Sequence, residues 1–142
     1  MKNESFCLEH YTTIPKDYEA VLYRGISERA FQAKKLSPIR PFGIFIKDQK
    51  GQVLGGASGA LFYGSVHVDS LRIDENLRNQ GWGKRLMHEA EKRGREHGAT
   101  FATVNTMDWE ALLFYQKLGY VIDFSRKGYE NQSMMFMLTK TL

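Results

Sequence analysis

Several protein classes are excluded by what this chain is short of. It has one cysteine, Cys7, in 142 residues, so no internal disulfide can staple it, and a reducing compartment is the expected setting. No apolar run approaches the roughly 20 residues that cross a bilayer. The opening MKNESFCLEH carries no apolar stretch of the secretory kind. A cytoplasmic protein without a membrane partner is the expectation. Neither sign of charge dominates: the formal net charge is +4, which leans toward anionic ligands without dictating one. The positive residues are dispersed and no nucleic-acid-binding motif appears, so no nucleic-acid partner is expected. Internal repeats, low-complexity segments and linkers are missing too, and residues 1–142 read as one domain.

What is present is the balance of an ordinary globular domain, 42% hydrophobic and 25% charged. SFCLEHYTTI alternates loosely and reads as a first strand. Pro15 opens a helical region in which Tyr18, Val21, Leu22 and Ile26 recur at helical spacing, and Gly25 is expected to divide two short helices. Pro38 and Pro41 bound a loop. PFGIFIKD and QVLGGASGALFY, separated by QKG, predict a hairpin. SVHVDSLRI, rich in β-branched residues, predicts another strand, and the segment after it leads into a helix that Gly98 stops. ATFATVNT is a further strand. DWEALLFYQKLG predicts a short helix with Asp108 as N-cap and Gly119 as its stop. YVIDF and QSMMFMLTK close the chain as two strands. The resulting order, β, α(α), β, β, β, α, β, α, β, β, is mixed α/β and argues against a Rossmann fold.

RNQGWGKRLMHEAEKRG, Arg78 to Gly94, places two glycines at the front of an amphipathic helix. A P-loop is excluded, because Gly83-Lys84 is followed by Arg85 and no glycine lies five residues earlier. A dinucleotide fingerprint is excluded as well, since Leu86 stands at its third glycine. A loop with glycines chosen only for tight turning remains open. The other reading is an anion cradle: bare backbone at Gly81 and Gly83 at the positive end of a helix, with Arg78 and Lys84 at its edge.

The pattern Arg78-x-x-Gly81-x-Gly83 after a strand resembles the signature of the GCN5-related N-acetyltransferases. A second match is independent of it. Ala111, Phe114-Tyr115 and Gly119-Tyr120 resemble the family's later signature, with Ala111, Phe114 and Leu118 giving that helix a core face and Tyr115 beside it. The likeness spans about Val66 to Tyr120. It implies a central, mostly antiparallel sheet of six to seven strands, splayed between the fourth and fifth and flanked by about four helices. It also implies an acetyl-CoA-dependent N-acetyltransferase that passes acetyl to a primary amine of a small molecule or peptide, by direct attack in a ternary complex. The alternative is a non-catalytic module that binds acyl-CoA.

Carried over residue by residue, the resemblance implies that the loop Arg78, Asn79, Gln80, Gly81, Trp82, Gly83 and Lys84 grips the pyrophosphate of coenzyme A. The pantetheine arm adds to the edge of Leu71, Arg72 and Ile73 through backbone N–H and C=O groups, with Asn105 in reach and Phe114 and Tyr115 beside it. The N–H of Leu71 is the implied oxyanion donor. Tyr115 is the candidate acid for the departing thiolate. Cys7 lies far from both motifs and reads as incidental. His67 and Asp69 are two apart on one strand and share a face. Imidazole suits removal of an ammonium proton near neutral pH, and Asp69 would orient it, relay through water or attract the amine; His67, Asp69 and solvent all remain open as the base. No metal is implied. Lys92, Arg93 and Arg95 read as a solvated helix face balanced by Glu89, Glu91 and Glu96. The acceptor region offers Tyr18, Tyr23, Arg24, Phe31, Arg40 and Phe42 early in the chain. Arg126, Lys127, Tyr129 and Glu130 supply the other side, with SRKGYENQ expected as a turn around Gly128. The apolar run SMMFML is compatible with a homodimer or with burial in the sheet.

Overall fold

The computed structural model describes residues 5–142, and the chain divides into two compact units, Met1–Pro38 and Ile39–Leu142. The first holds one helix, α1, Lys16–Lys34. Asp17 and Glu19 stand in its first turn and Lys34 in its last, matching the helix dipole at both ends. Lys35 closes it in the left-handed conformation, its N–H donating to the Phe31 carbonyl at 2.8 Å. Two expectations are corrected here. Gly25 lies inside this single helix rather than between two, because an interior glycine costs only about 1 kcal/mol and keeps its N–H donor, unlike proline. Residues 5–14 form no strand; loose alternation does not make one without a ladder partner for the backbone.

The second unit is built on one six-stranded sheet: β1 Arg40–Lys47, β2 Val53–Phe62, β3 Ser65–Ile73, β4 Phe101–Met107, β5 Val121–Tyr129 and β6 Ser133–Thr141. The strand order is β1-β2-β3-β4-β6-β5. Every neighbouring pair is antiparallel except β3 with β4. The mixed α/β fold is as expected, with three α-helices in place of about four. Because the first expected strand is missing, the pair expected fourth and fifth is third and fourth here. The β1–β2 turn is held by Asp48, whose carboxylate accepts the N–H groups of Lys50 and Gln52 at 2.8 and 2.9 Å.

Helix α2, Trp82–Glu96, buries Gly83, Leu86, Met87, Ala90, Glu91 and Gly94, a stripe of helical period that packs on the sheet. Gly94 brings the helix close: a Cβ there would stand 2.8 Å from Cγ1 of the fully buried Val66. Glu91 is the correction on this helix. It is 2% exposed rather than solvated, accepting Tyr120 Oη–H at 2.8 Å and pairing with Lys140 Nζ at 3.0 Å. Its position, four residues after Met87, puts it on the core stripe, so the carboxylate is buried with its partners supplied.

The short helix α3, Leu112–Lys117, starts later than expected, and Asp108 does not cap it. Asp108 instead accepts the N–H of Met134 at 3.2 Å, while Thr106 Oγ1 accepts the Ala111 N–H at 3.1 Å and anchors the turn before the helix. The expected turn around Gly128 is strand: β5 runs on to Tyr129, with Gly128 at φ +99 inside a register shift, and the reversal falls at Glu130–Gln132. SMMFML lies in β6, paired on both sides.

Gly59 on β2 supports a sharp prediction. A Cβ there collides with the backbone carbonyl oxygen of His67, which cannot rotate away. Gly59→Ala is expected to lower stability by about 1–3 kcal/mol in urea unfolding. Gly25→Ala, where a Cβ meets nothing within 4 Å, is expected to stabilise α1 by about 0.5–1 kcal/mol.

Candidate active site

The parallel ladder between β3 and β4 lasts four pairs, Ser65–Phe101 to Val68–Val104, and then stops. Both strands continue, β3 to Ile73 against β2 and β4 to Met107 against β6. From Asp69 and Asn105 onward, therefore, the two facing edges are parted. Which backbone groups face the gap follows from register. The Asp74 N–H donates to Leu54 O at 2.8 Å, so the hydrogen-bonded positions of this antiparallel stretch are Asp74, Arg72 and Ser70. The N–H and C=O groups of Leu71 and Ile73 accordingly point away from β2, into the gap. Arg72 is a correction: its backbone turns to Gly56 of β2, leaving only its side chain for any ligand in the gap.

The loop from Ile73 to α2 closes one end of the gap. Asp74 Oδ1 accepts the Asn76 N–H at 2.9 Å and starts a 3-10 turn, Glu75–Leu77. Arg78 Nε donates to the Ile73 carbonyl at 3.3 Å, tying the loop to the strand edge, and Gln80 Nε2 donates to the Asn76 carbonyl at 3.0 Å. Asn79 and Gly81 both have positive φ, 62° and 83°. α2 then begins without a side-chain cap and without an acidic residue in its first turn. The N–H groups of Trp82, Gly83 and Lys84 thus open the helix with no intrahelical acceptor. Lys84 is exposed, and the Arg85 guanidinium stacks on Trp82, 4.3 Å from the ring. Bare N–H groups, a helix dipole and three cations (Arg78, Lys84, Arg85) fit a pyrophosphate.

The two glycines have different physical reasons. At Gly81 a Cβ would meet nothing within 4 Å, and the left-handed backbone, φ +83, is what asks for glycine. At Gly83 a Cβ would stand 3.1 Å from the Phe114 ring and 3.2 Å from Ile73 Cδ1. Gly83 is therefore glycine so that α2 can approach β3 and α3, and Phe114 is the side chain that fills the place.

Tyr115 is not beside the core face of α3 but is its most buried residue, 5% exposed, with its ring against Phe114 and Tyr120. Its hydroxyl bonds no protein group among the described residues, and since no buried side-chain polar atom there lacks a partner, the hydroxyl keeps some of that exposure. Burial, with the charge of Glu110 second, pushes its pKa up to about 12.

His67 and Asp69 do meet, Nε2 to Oδ1 at 3.2 Å. The ring's other nitrogen, Nδ1, lies 2.7 Å from Thr103 Oγ1 on β4. A carboxylate only accepts, so Nε2 carries a hydrogen toward Asp69, and in the neutral imidazole Nδ1 accepts a hydrogen bond from the Thr103 hydroxyl. Asp69 is the extra residue of a bulge: Ser58 pairs with Ser70 and Gly59 with Val68, leaving it unpaired. A cavity of about 360 Å³ opens on this face, lined by His67, Thr103, Asn105, Phe62, Asp123 and Phe124 over Met137 and Leu138. Thr103 and Asp123 were not singled out from sequence, since their approach to His67 and to its cavity is set by the register of four strands. Among the described residues no helix is long and apolar enough to cross a membrane.

A mixed sheet parted at its one parallel pair thus lies beside a helix start whose free N–H groups suit a pyrophosphate. The profile of the acetyltransferase (GNAT) family matches residues 9–120. A curated relative, blasticidin-S acetyltransferase of Streptomyces morookaense, is 33% identical over 106 residues, covering 74% of this chain and 78% of the relative. Among solved structures, one from Agrobacterium tumefaciens assigned as an acetyltransferase superposes with TM-score 0.81 at 23% identity, over 96% of this chain and 100% of that one. An aminoglycoside 6'-N-acetyltransferase complexed with coenzyme A gives TM-score 0.62 at 19% identity, over 72% and 73% of the chains. The chain belongs to the GNAT family of acetyltransferases, whose members use acetyl-CoA.

The raised pKa of Tyr115 has a thermodynamic consequence. Folding favours the neutral phenol, so the stability this adds is fully present below pH 10 and is lost as pH rises from the unfolded value of 10.0 through about 12. Urea midpoints of Tyr115→Phe should therefore fall less steeply than those of the wild type over that window. Parallel slopes would show that Tyr115 ionises like a free phenol.

Proposed function

We propose that this protein transfers acetyl from acetyl-CoA to a primary amine of a small molecule, by direct attack in a ternary complex. The observation that carries the proposal is the open backbone edge of Leu71 and Ile73, running to a helix start suited to pyrophosphate. The metabolite-sized cavity at His67 and the small-molecule name of the Streptomyces relative support a small acceptor over a protein segment.

Acetyl-CoA, when bound, supplies an acetyl group activated as its thioester. The Trp82–Lys84 N–H groups, with Arg78, Lys84 and Arg85, hold the pyrophosphate, and the left-handed turn at Gly81 leads the chain into that helix start. Leu71 and Ile73 receive the pantetheine arm on their backbone groups, and the Leu71 N–H serves the carbonyl oxygen as charge builds on it. Asn105, at the parted edge of β4, is placed to bond the arm as well. The acceptor amine, once neutral, forms the C–N bond as the C–S bond breaks, and the extra proton on the new amide nitrogen passes to water. Tyr115 gives its phenolic proton to the departing sulfur. With a pKa near 12 it stays protonated at any ordinary assay pH, and water reprotonates it afterwards.

The ammonium proton leaves through Thr103 Oγ1 to His67 Nδ1, while Asp69 fixes the ring with Nε2–H and balances the imidazolium that forms. Asp69 is a positioning residue in this scheme. Thr103 takes its place in the relay because the His67 lone pair faces its hydroxyl and not solvent.

Turnover is tested by incubating the protein with acetyl-CoA and a panel of primary amines and following acetylated product by mass spectrometry. Product formation is expected, with Tyr115→Phe lowering kcat roughly 10²-fold at unchanged acetyl-CoA affinity. Thr103→Val and His67→Ala should lower kcat/KM to a similar extent, as two members of one relay. Acetyl-CoA binding with no product from any amine would leave a cofactor-binding module, and full activity of Thr103→Val would remove the relay.

A further inference from the structure

We propose that Asp123 selects the acceptor: it anchors a second cationic group, so that the preferred substrate is a small diamine or guanidino-amine rather than a monoamine. The inference deepens the acetyltransferase reading and rests on it for the identity of the reacting end.

Ile122 pairs with Leu138 and Phe124 with Met137, so Asp123 is the extra residue of a bulge. In a regular strand Asp123 and Phe124 would face opposite sides of the sheet. The bulge places both on one side, where both line the cavity that holds His67. Asp123 is thus re-aimed into the cavity by the same device that frees Asp69 on β3.

The charges at the cavity are one-sided. Neither lysine nor arginine lines it. Arg126 stacks on Phe124 at 5.3 Å without reaching the lining. Asp69, outside the lining, is engaged by His67 Nε2 at 3.2 Å. Asp123 is exposed, forms no hydrogen bond or ion pair among the described residues, and is the lining carboxylate left for a ligand. Phe62 and Phe124 add aromatic faces, which favour a cation over a neutral amide.

Geometry sets the spacing of the two cations. His67, Thr103, Thr139 and Val121 form one row across β3, β4, β6 and β5, and Asn105, Met137 and Phe124 form the row beside it. Three strand steps of about 4.8 Å put the β3 and β5 axes roughly 14 Å apart. Allowing for the reach of an imidazole and a carboxylate toward each other, the acceptor's two nitrogen groups are separated by a short chain of several bonds. The amine at the His67 end reacts; the group at Asp123 stays charged.

The test is calorimetric titration of the protein, loaded with CoA, using agmatine and butylamine, which share a four-carbon chain and differ in the guanidinium. The wild type should bind agmatine about fivefold more tightly, the upper end of what an ion pair at an exposed carboxylate allows. Asp123→Asn and Asp123→Ser should bring the two ligands within about threefold of each other. Asp123→Glu should keep the preference, and acetyl-CoA affinity should be unchanged in all three. Equal affinities in the wild type, a preference that survives Asp123→Asn, or binding of neither amine by a protein that binds acetyl-CoA would each overturn the proposal. An agmatine preference that depends on Asp123, in a protein that transfers no acetyl to any amine, supports the Asp123 site and overturns the acetyltransferase reading alone.

Discussion

The site depends on a ladder that ends early. Four parallel pairs join β3 to β4, and past Val68 and Val104 each strand keeps only its outer partner. A parted pair in mid-sheet exposes backbone donors and acceptors that an ordinary sheet would satisfy. Here the exposed groups alternate, Leu71 and Ile73 toward the gap and Arg72 toward β2, because antiparallel pairing with β2 fixes the parity. Everything else in the site is arranged about that gap. The Arg78 guanidinium meets one of the exposed carbonyls, α2 presents its uncapped start at one end, and His67 sits where the strands are still joined.

Holding the strands apart requires a firm frame on the other face. Val66, Met87, Ala90, Ala102 and Val104 are fully buried between α2 and the sheet. Gly94 and Gly83 let the helix lie close at both ends of its contact, one over Val66 and the other over Ile73 and Phe114. The buried Glu91 and Tyr120, with the part-buried Lys140, add a polar fastening between α2, the end of α3 and β6. A single lost partner there leaves a charge in a place without water, and removing one member of a buried pair costs about 3–5 kcal/mol. Burial, more than the Glu91 bond, raises the Tyr120 pKa as well. The tyrosine that follows Gly119 in the second signature thus serves the frame, while Tyr115, five residues earlier, reaches the surface with its hydroxyl.

Local chemistry made much of this legible in advance. Strand and helix periods located all six strands of the sheet and α2 and α3. The glycine pair with Arg78 and Lys84 marked the helix start, and two-residue spacing placed His67 with Asp69. What escaped was what depends on partners. The first strand fails for want of a ladder, and Gly25 does not break α1, because neither outcome is written in the segment itself. Glu91 falls on the core stripe by spacing, but its acceptability there depends on Tyr120 and Lys140, distant in the chain. The two bulges that re-aim Asp69 and Asp123 are register irregularities and have no signature in a single strand. Gly83, expected to make room for a ligand, makes room for Phe114.

The claim on which the account turns is that the backbone of Leu71 and Ile73 is an open edge that receives the cofactor. Amide hydrogen exchange followed by NMR tests it residue by residue. Without ligand, the amides of Leu71 and Ile73 should exchange quickly and that of Arg72 slowly. Saturating acetyl-CoA should slow at least one of the first two and leave Arg72 as it was. Uniformly slow exchange across the three residues, or acetyl-CoA binding that leaves both Leu71 and Ile73 fast, would contradict the account.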